Sequence, residues 1–93
     1  MDKVIAFVIS NKNRLINQLY MRIFSERQIR EIRLGLVEDL DVKCYAKSYF
    51  DERQMREIRY GLEEGLDVRC YAKRDYDSNQ MRKIRLDLET QYQ

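Results

Sequence analysis

Ninety-three residues are enough for one domain, and 44% hydrophobic against 37% charged residues with a net charge of +2 suits a soluble globular chain better than a disordered one. Histidine is absent and the two cysteines fall in no metal-ligand spacing, so the commonest general base and the commonest metal sites are missing. The longest apolar run, residues 4–9, is too short for the roughly 20 residues of a membrane span and no small-residue cleavage site follows it, so a cytoplasmic protein is expected.

Residues 4–9 are apolar all round, and periodicity alone reads so short a run equally well as helix or strand. Residues 11–23 then carry Leu15, Ile16 and Leu19 on one face, which predicts a helix. Residues 1–23 are expected to form an N-terminal cap. From Phe24 the chain repeats itself. The stretch 24–47 returns 26 residues later as a near copy at 50–73, and a third, truncated copy begins at Tyr76. The units are residues 24–49, 50–75 and 76–93.

Each copy opens with a helix start. Ser25, Asp51 and Asp77 are N-cap residues, and Gln28, Gln54 and Gln80 complete capping boxes three places on. Phe24, Phe50 and Tyr76 precede the caps and pair with Ile29, Met55 and Met81 as hydrophobic staples. Ile29, Ile32 and Leu36 form a buried stripe, repeated as Met55, Ile58, Leu62 and as Met81, Ile84, Leu88. Gly65 fits a left-handed helix end, with Asp39 in its place in the first copy. Asp41 and Asp67 then recap short second helices over 42–47 and 68–73. The third copy has Asp87 in place of Gly35 and Gly61. A unit of this size cannot bury its own apolar face, whereas stacked units can. The expected fold is therefore all-α: a short, solenoid-like helical-repeat array of long-helix/short-helix units behind an N-terminal capping helix.

The consensus Phe-Asp-x-x-Gln-Met-x-x-Ile-Arg-x-Gly-Leu-x-x-Gly-Leu-Asp-Val-x-x-Tyr-Ala, matched closely over residues 24–73 and partly over 76–88, resembles a tandem repeat of uncharacterised proteins of bacterial phages, plasmids and conjugative elements. That resemblance implies a mobile-element protein in the host bacterial cytosol and carries no activity or site with it. Together with the small size, it makes an inhibitor of host defence such as CRISPR–Cas, in the manner of an anti-CRISPR protein, one expectation.

No paired carboxylates, nucleophile–base set or phosphate loop recurs, so no enzyme, cofactor or metal site is expected. Arginines at Arg27, Arg30, Arg33, Arg53, Arg56 and Arg59 ladder the first two long helices. They read either as a phosphate-tracking surface or as a solvated face of i, i+4 ion pairs such as Glu26–Arg30, Arg27–Glu31 and Arg53–Glu57. Residues 69–93 are basic, and Lys83 stands where the other copies have Glu31 and Glu57. With Lys73, Arg74 and Arg82 it makes a basic C-terminal patch.

Arg33, Arg59 and Arg85 are expected to tie each long helix to Asp41 or Asp67. Cys44 and Cys70 read as buried free thiols. Tyr45, Tyr49, Tyr71 and Tyr76 are expected to fill seams or to mark a binding ridge. Gly35 and Gly61 each cost about 1 kcal/mol inside a helix, which calls for a close approach of another helix or of a partner. The leading expectation is a protein-binding module using Arg30, Arg56, Lys73, Arg74, Arg82, Lys83, Tyr60 and Tyr76. A small DNA- or RNA-binding regulator using the basic C-terminal end is the alternative, and homodimerisation through exposed apolar ends is a third possibility.

Overall fold

The computed structural model describes residues 22–91. The expectations for residues 4–9 and for Leu15, Ile16 and Leu19 lie outside them. Within the described residues the chain is all-helical, with three α-helices and no strand: α1 (Glu26–Val37), α2 (Glu52–Glu63) and α3 (Ser78–Gln91). A 3-10 segment follows each of the first two, η1 (Val42–Cys44) and η2 (Val68–Cys70).

The capping boxes form as the spacing dictates. The Gln28 backbone N–H donates to Ser25 Oγ at 3.1 Å while Gln28 Oε1 accepts from the Ser25 N–H at 2.7 Å. Asp51 with Gln54, and Asp77 with Gln80, repeat the exchange at 2.8–2.9 Å. These bonds satisfy donors that a helix N-terminus leaves without an intrahelical acceptor. At the other end, Asp39 (φ 58°) and Gly65 (φ 72°) turn the chain left-handed. The next N–H groups, Leu40 and Leu66, then return to the Gly35 and Gly61 carbonyls at 2.9 Å.

The second helices are shorter than 42–47 and 68–73. Tyr45 and Tyr71 both adopt φ −134°, ψ −5°, outside the helical range, and this ends η1 and η2 after three residues. The kink folds each phenol under its own long helix. Tyr45 Oη donates to the Glu31 carbonyl at 2.6 Å and Tyr71 Oη to the Glu57 carbonyl at 2.7 Å. Both residues are fully buried.

This answers why Gly35 and Gly61 sit inside helices. A Cβ on either would collide with the tyrosine hydroxyl and come within 2.7 Å of Val42 or Val68 Cγ1. The close approach is by the unit's own tyrosine rather than by a neighbouring helix or partner. Of the two N-caps expected at Asp41 and Asp67, only the Asp67 side chain accepts a backbone N–H, that of Arg69 at 3.2 Å.

The core runs from Phe24, Ile29, Ile32 and Leu36 through Val42, Tyr45, Phe50, Met55 and Ile58 to Val68, Tyr71 and Met81, with Leu62, Tyr76, Ile84 and Leu88 packed against it. All three predicted stripes face inward. Helix α1 packs on α2, and α2 on α3.

The two seams use the same bonds. Gln28 Nε2 donates to the Phe50 carbonyl at 2.6 Å, and Gln54 Nε2 to the Tyr76 carbonyl at 2.7 Å. Arg59 Nε donates to Glu31 Oε2 at 2.9 Å, and Arg85 Nε to Glu57 Oε2 at 3.0 Å. The capping glutamines therefore also pin the next unit's entry turn.

Candidate functional site: the outer helix face

At 3.6 residues per turn, the position opposite each inward-facing isoleucine (Ile32, Ile58 and Ile84) lies two residues on either side of it. That places Arg30 and Leu34, Arg56 and Tyr60, and Arg82 and Leu86 on the outer side of α1, α2 and α3. Leu34 is 38% exposed, Leu86 42%, and Val37, one turn beyond Leu34, is 76% exposed. Arg30, Arg53 and Arg82 are exposed, and no hydrogen bond or ion pair within the described residues engages them.

Three lanes cross the helices. The first is basic, with Arg27 and Arg53 toward the helix N-termini and Arg30, Arg56 and Arg82 behind them. The second is apolar: Leu34, Tyr60 and Leu86. The third holds Glu63 and Glu89, already bound by Arg59 Nη1 and Arg85 Nη1 at 2.6 Å. Tyr60 is fixed in the middle lane by two guanidiniums, Arg59 at 5.1 Å and Arg85 at 5.3 Å from its ring centroid. A concavity of about 450 Å³, lined by Glu26, Ile29, Arg30, Arg33 and Leu34, lies beside the α1 end of these lanes.

Several expected pairings are replaced. Arg59 and Arg85 do not reach Asp41 or Asp67. They cross to Glu31 and Glu57 on the preceding helix, and Asp67 pairs instead with Arg69 at 2.8 Å. The reason is burial. Glu31 is only 2% exposed, and a carboxylate so placed needs a cation inside the same dry seam. Arg56 Nε supplies a second at 3.0 Å. Burial works against the Arg59 charge, but the hydrogen bond and charge of Glu31 outweigh it, and its pKa is raised overall. Arg85 behaves alike through Glu57, with Glu64 and Glu89 beside it.

Glu31, Arg59 and Arg85 are therefore buried rather than solvated, although the i, i+4 pairs Arg59–Glu63 and Arg85–Glu89 expected of a solvated face do form. Arg27, rather than pairing with Glu31, bridges to Glu52 of α2 at 3.2 Å, an exposed contact of small energetic weight.

Of the residues singled out in the sequence, Arg30, Arg56, Arg82 and Tyr60 join this face. Lys83 is exposed on α3. Lys73, Arg74 and Tyr76 lie in the connection before α3, where the Lys73 ammonium stands 5.9 Å from the Tyr76 ring and Arg74 packs 5.0 Å from the ring of Tyr49. Leu34 and Leu86 were missed by sequence reasoning. Aligning position 34 with 60 and 86 across the copies is the signal that finds them.

Cys44 is half-buried and Cys70 exposed, both as free thiols, so neither is the buried thiol expected. Burial, with Asp41 beside it, pushes the Cys44 pKa up, which disfavours the thiolate. Among the described residues no cluster of His, Cys, Asp or Glu could hold a metal ion, and no helix is long and apolar enough to cross a membrane. Comparisons with protein-family models, curated proteins and solved structures give no match to this chain.

Proposed function

We propose that the protein is a non-enzymatic protein–protein interaction module, built as a short solenoid-like array of its three units, whose outer helix face is the docking surface. The observation that carries this reading is the division of labour among polar groups. Glu31, Glu57, Arg59, Arg85, Gln28 and Gln54 are consumed in holding helices together. Arg30, Arg53 and Arg82 are left beside exposed apolar side chains with no structural task. Side chains of that kind, gathered on one face, are what a partner desolvates.

The resemblance of the repeat to those of phage and plasmid proteins extends the reading to a mobile-element protein acting on a host component, with a defence effector such as a CRISPR–Cas protein as one target class. The second reading, a small nucleic-acid-binding regulator, is favoured by the free cations Arg82 and Lys83 near Lys73 and Arg74. Weighing against it are the carboxylates Glu63, Glu64 and Glu89 along the far edge of the same face.

One pair of measurements separates them. Immobilised protein should retain a bacterial protein that the exposed-face variant Arg82→Glu/Leu86→Ser releases. Gel shifts on duplex DNA and RNA should show no complex at physiological salt. A nucleic-acid complex that weakens steeply as salt rises overturns the protein-binding reading.

A further inference from the structure

We infer that the outer face recognises an acidic amphipathic helix of another protein, laid across α1, α2 and α3 with its carboxylates over the arginine lanes and its apolar side chains on Leu34, Tyr60 and Leu86. The inference rests on the protein-binding reading and specifies the chemistry of the partner.

Charge complementarity selects the occupant. Arg30, Arg53 and Arg82 bring three unengaged guanidiniums to one side of the apolar lane, beside Arg27 and Arg56, which bind Glu52 and Glu31. On the other side Glu63, Glu64 and Glu89 are each bound by Arg59 or Arg85, so the exposed acids left unpaired beside the lanes, Glu26 and Glu38, lie at α1, and over α2 and α3 the lanes offer cations alone. The same face of a second copy brings the same guanidiniums against these. Nucleic acid would meet the cations, but Leu34, Val37 and Leu86 give bases nothing to stack on, and only Tyr60 is aromatic.

Geometry selects a helix. Packed helix axes lie roughly 8–10 Å apart, so Leu34, Tyr60 and Leu86 fall at intervals of that size. A crossing helix rises 1.5 Å per residue and presents one side about every seven residues, which is roughly 10 Å. Apolar residues two turns apart therefore meet successive members of the lane. Tyr60, clamped between Arg59 and Arg85, is pre-ordered as the central anchor, the kind of residue that dominates interface energetics. Little side-chain entropy remains for it to lose on binding.

The test is selection of displayed random peptides about 16 residues long against the wild-type protein, followed by fluorescence anisotropy of the enriched sequences. The same peptides are measured on Arg30→Glu/Arg82→Glu/Leu86→Ser, whose three side chains are exposed, with circular dichroism melting to establish its fold. Should that variant melt early, Arg53→Glu/Leu34→Ser takes its place.

The expected result is enrichment of peptides rich in Asp and Glu with apolar residues about seven apart, bound at least about tenfold more weakly by the variant. Enrichment of basic or uncharged peptides, or of acidic ones that bind the variant equally well, overturns this inference and leaves the protein-binding reading standing. No enrichment at all overturns both.

Discussion

Glu31 is the residue whose loss the seam should tolerate least. Glu31→Ala strands the Arg59 guanidinium in a site where only Glu63 remains to it, and breaking a buried ion pair in this way costs about 3–5 kcal/mol. Glu57→Ala should cost clearly less, because Arg85 keeps both Glu64 and Glu89 and the site is more open. Thermal melting of the two variants gives the ranking. Equal melting points would place the burial of Glu31 in doubt.

Gly61 makes a second residue-level test. Alanine is intrinsically the better helix former by about 1 kcal/mol, yet Gly61→Ala should destabilise by about 1–3 kcal/mol, because its methyl group meets the Tyr71 hydroxyl and Val68. Tyr71→Phe removes the clashing oxygen. The double variant should therefore melt higher than the sum of the single losses allows, and strict additivity would mean that the two groups do not touch.

At the scale of the element, the glutamines at the third helical position reveal what the repeat pattern conceals. Gln54 closes the cap of α2 and also donates to the Tyr76 carbonyl, whereas Gln80 closes a cap in the open. Glutamate ordinarily serves a capping box as well as glutamine and favours the helix N-terminus. Gln54→Glu should nevertheless lower the melting temperature, since it replaces a donor by an acceptor facing a carbonyl, while Gln80→Glu should leave it unchanged or raise it slightly. A neutral Gln54→Glu would show that the cross-unit bond carries no stability.

Helix starts, stripes and left-handed ends were legible in the sequence because each is set by residues within one turn of one another. The salt bridges between helices were not, although the i, i+4 pairs Arg59–Glu63 and Arg85–Glu89 were. An i, i+4 partner for Glu31 lies close at hand in the sequence, and nothing local says that the residue is dry. The separation of 28 residues from Glu31 to Arg59, repeated from Glu57 to Arg85, is the only linear trace of the true pairing. The candidate face was half legible for a related reason. Arginines advertise themselves one by one, while Leu34 and Leu86 gain meaning only when the copies are laid side by side.

The whole molecule should be sensitive to alkali. Tyr45 and Tyr71 are fully buried, and burial pushes both phenols well above their ordinary range. The folded state thus favours the neutral form. The stability linked to these groups is complete below the unfolded pKa of about 10 and is lost as pH rises toward the folded value. Melting temperature should hold steady to about pH 10 and then fall, with the phenolate absorbance of the buried pair appearing together with loss of helical signal. Ionisation of all tyrosines at an ordinary pKa with helix content intact would contradict the burial of both side chains.

Lys83 and Asp87 stand on α3 where α1 and α2 present Glu31 or Glu57 and Gly35 or Gly61. Helix α3 therefore has neither the carboxylate that grips the next arginine nor the notch that admits a phenol. A helix packed behind α3 as α2 packs on α1 would bring its arginine against the Lys83 ammonium instead of a carboxylate.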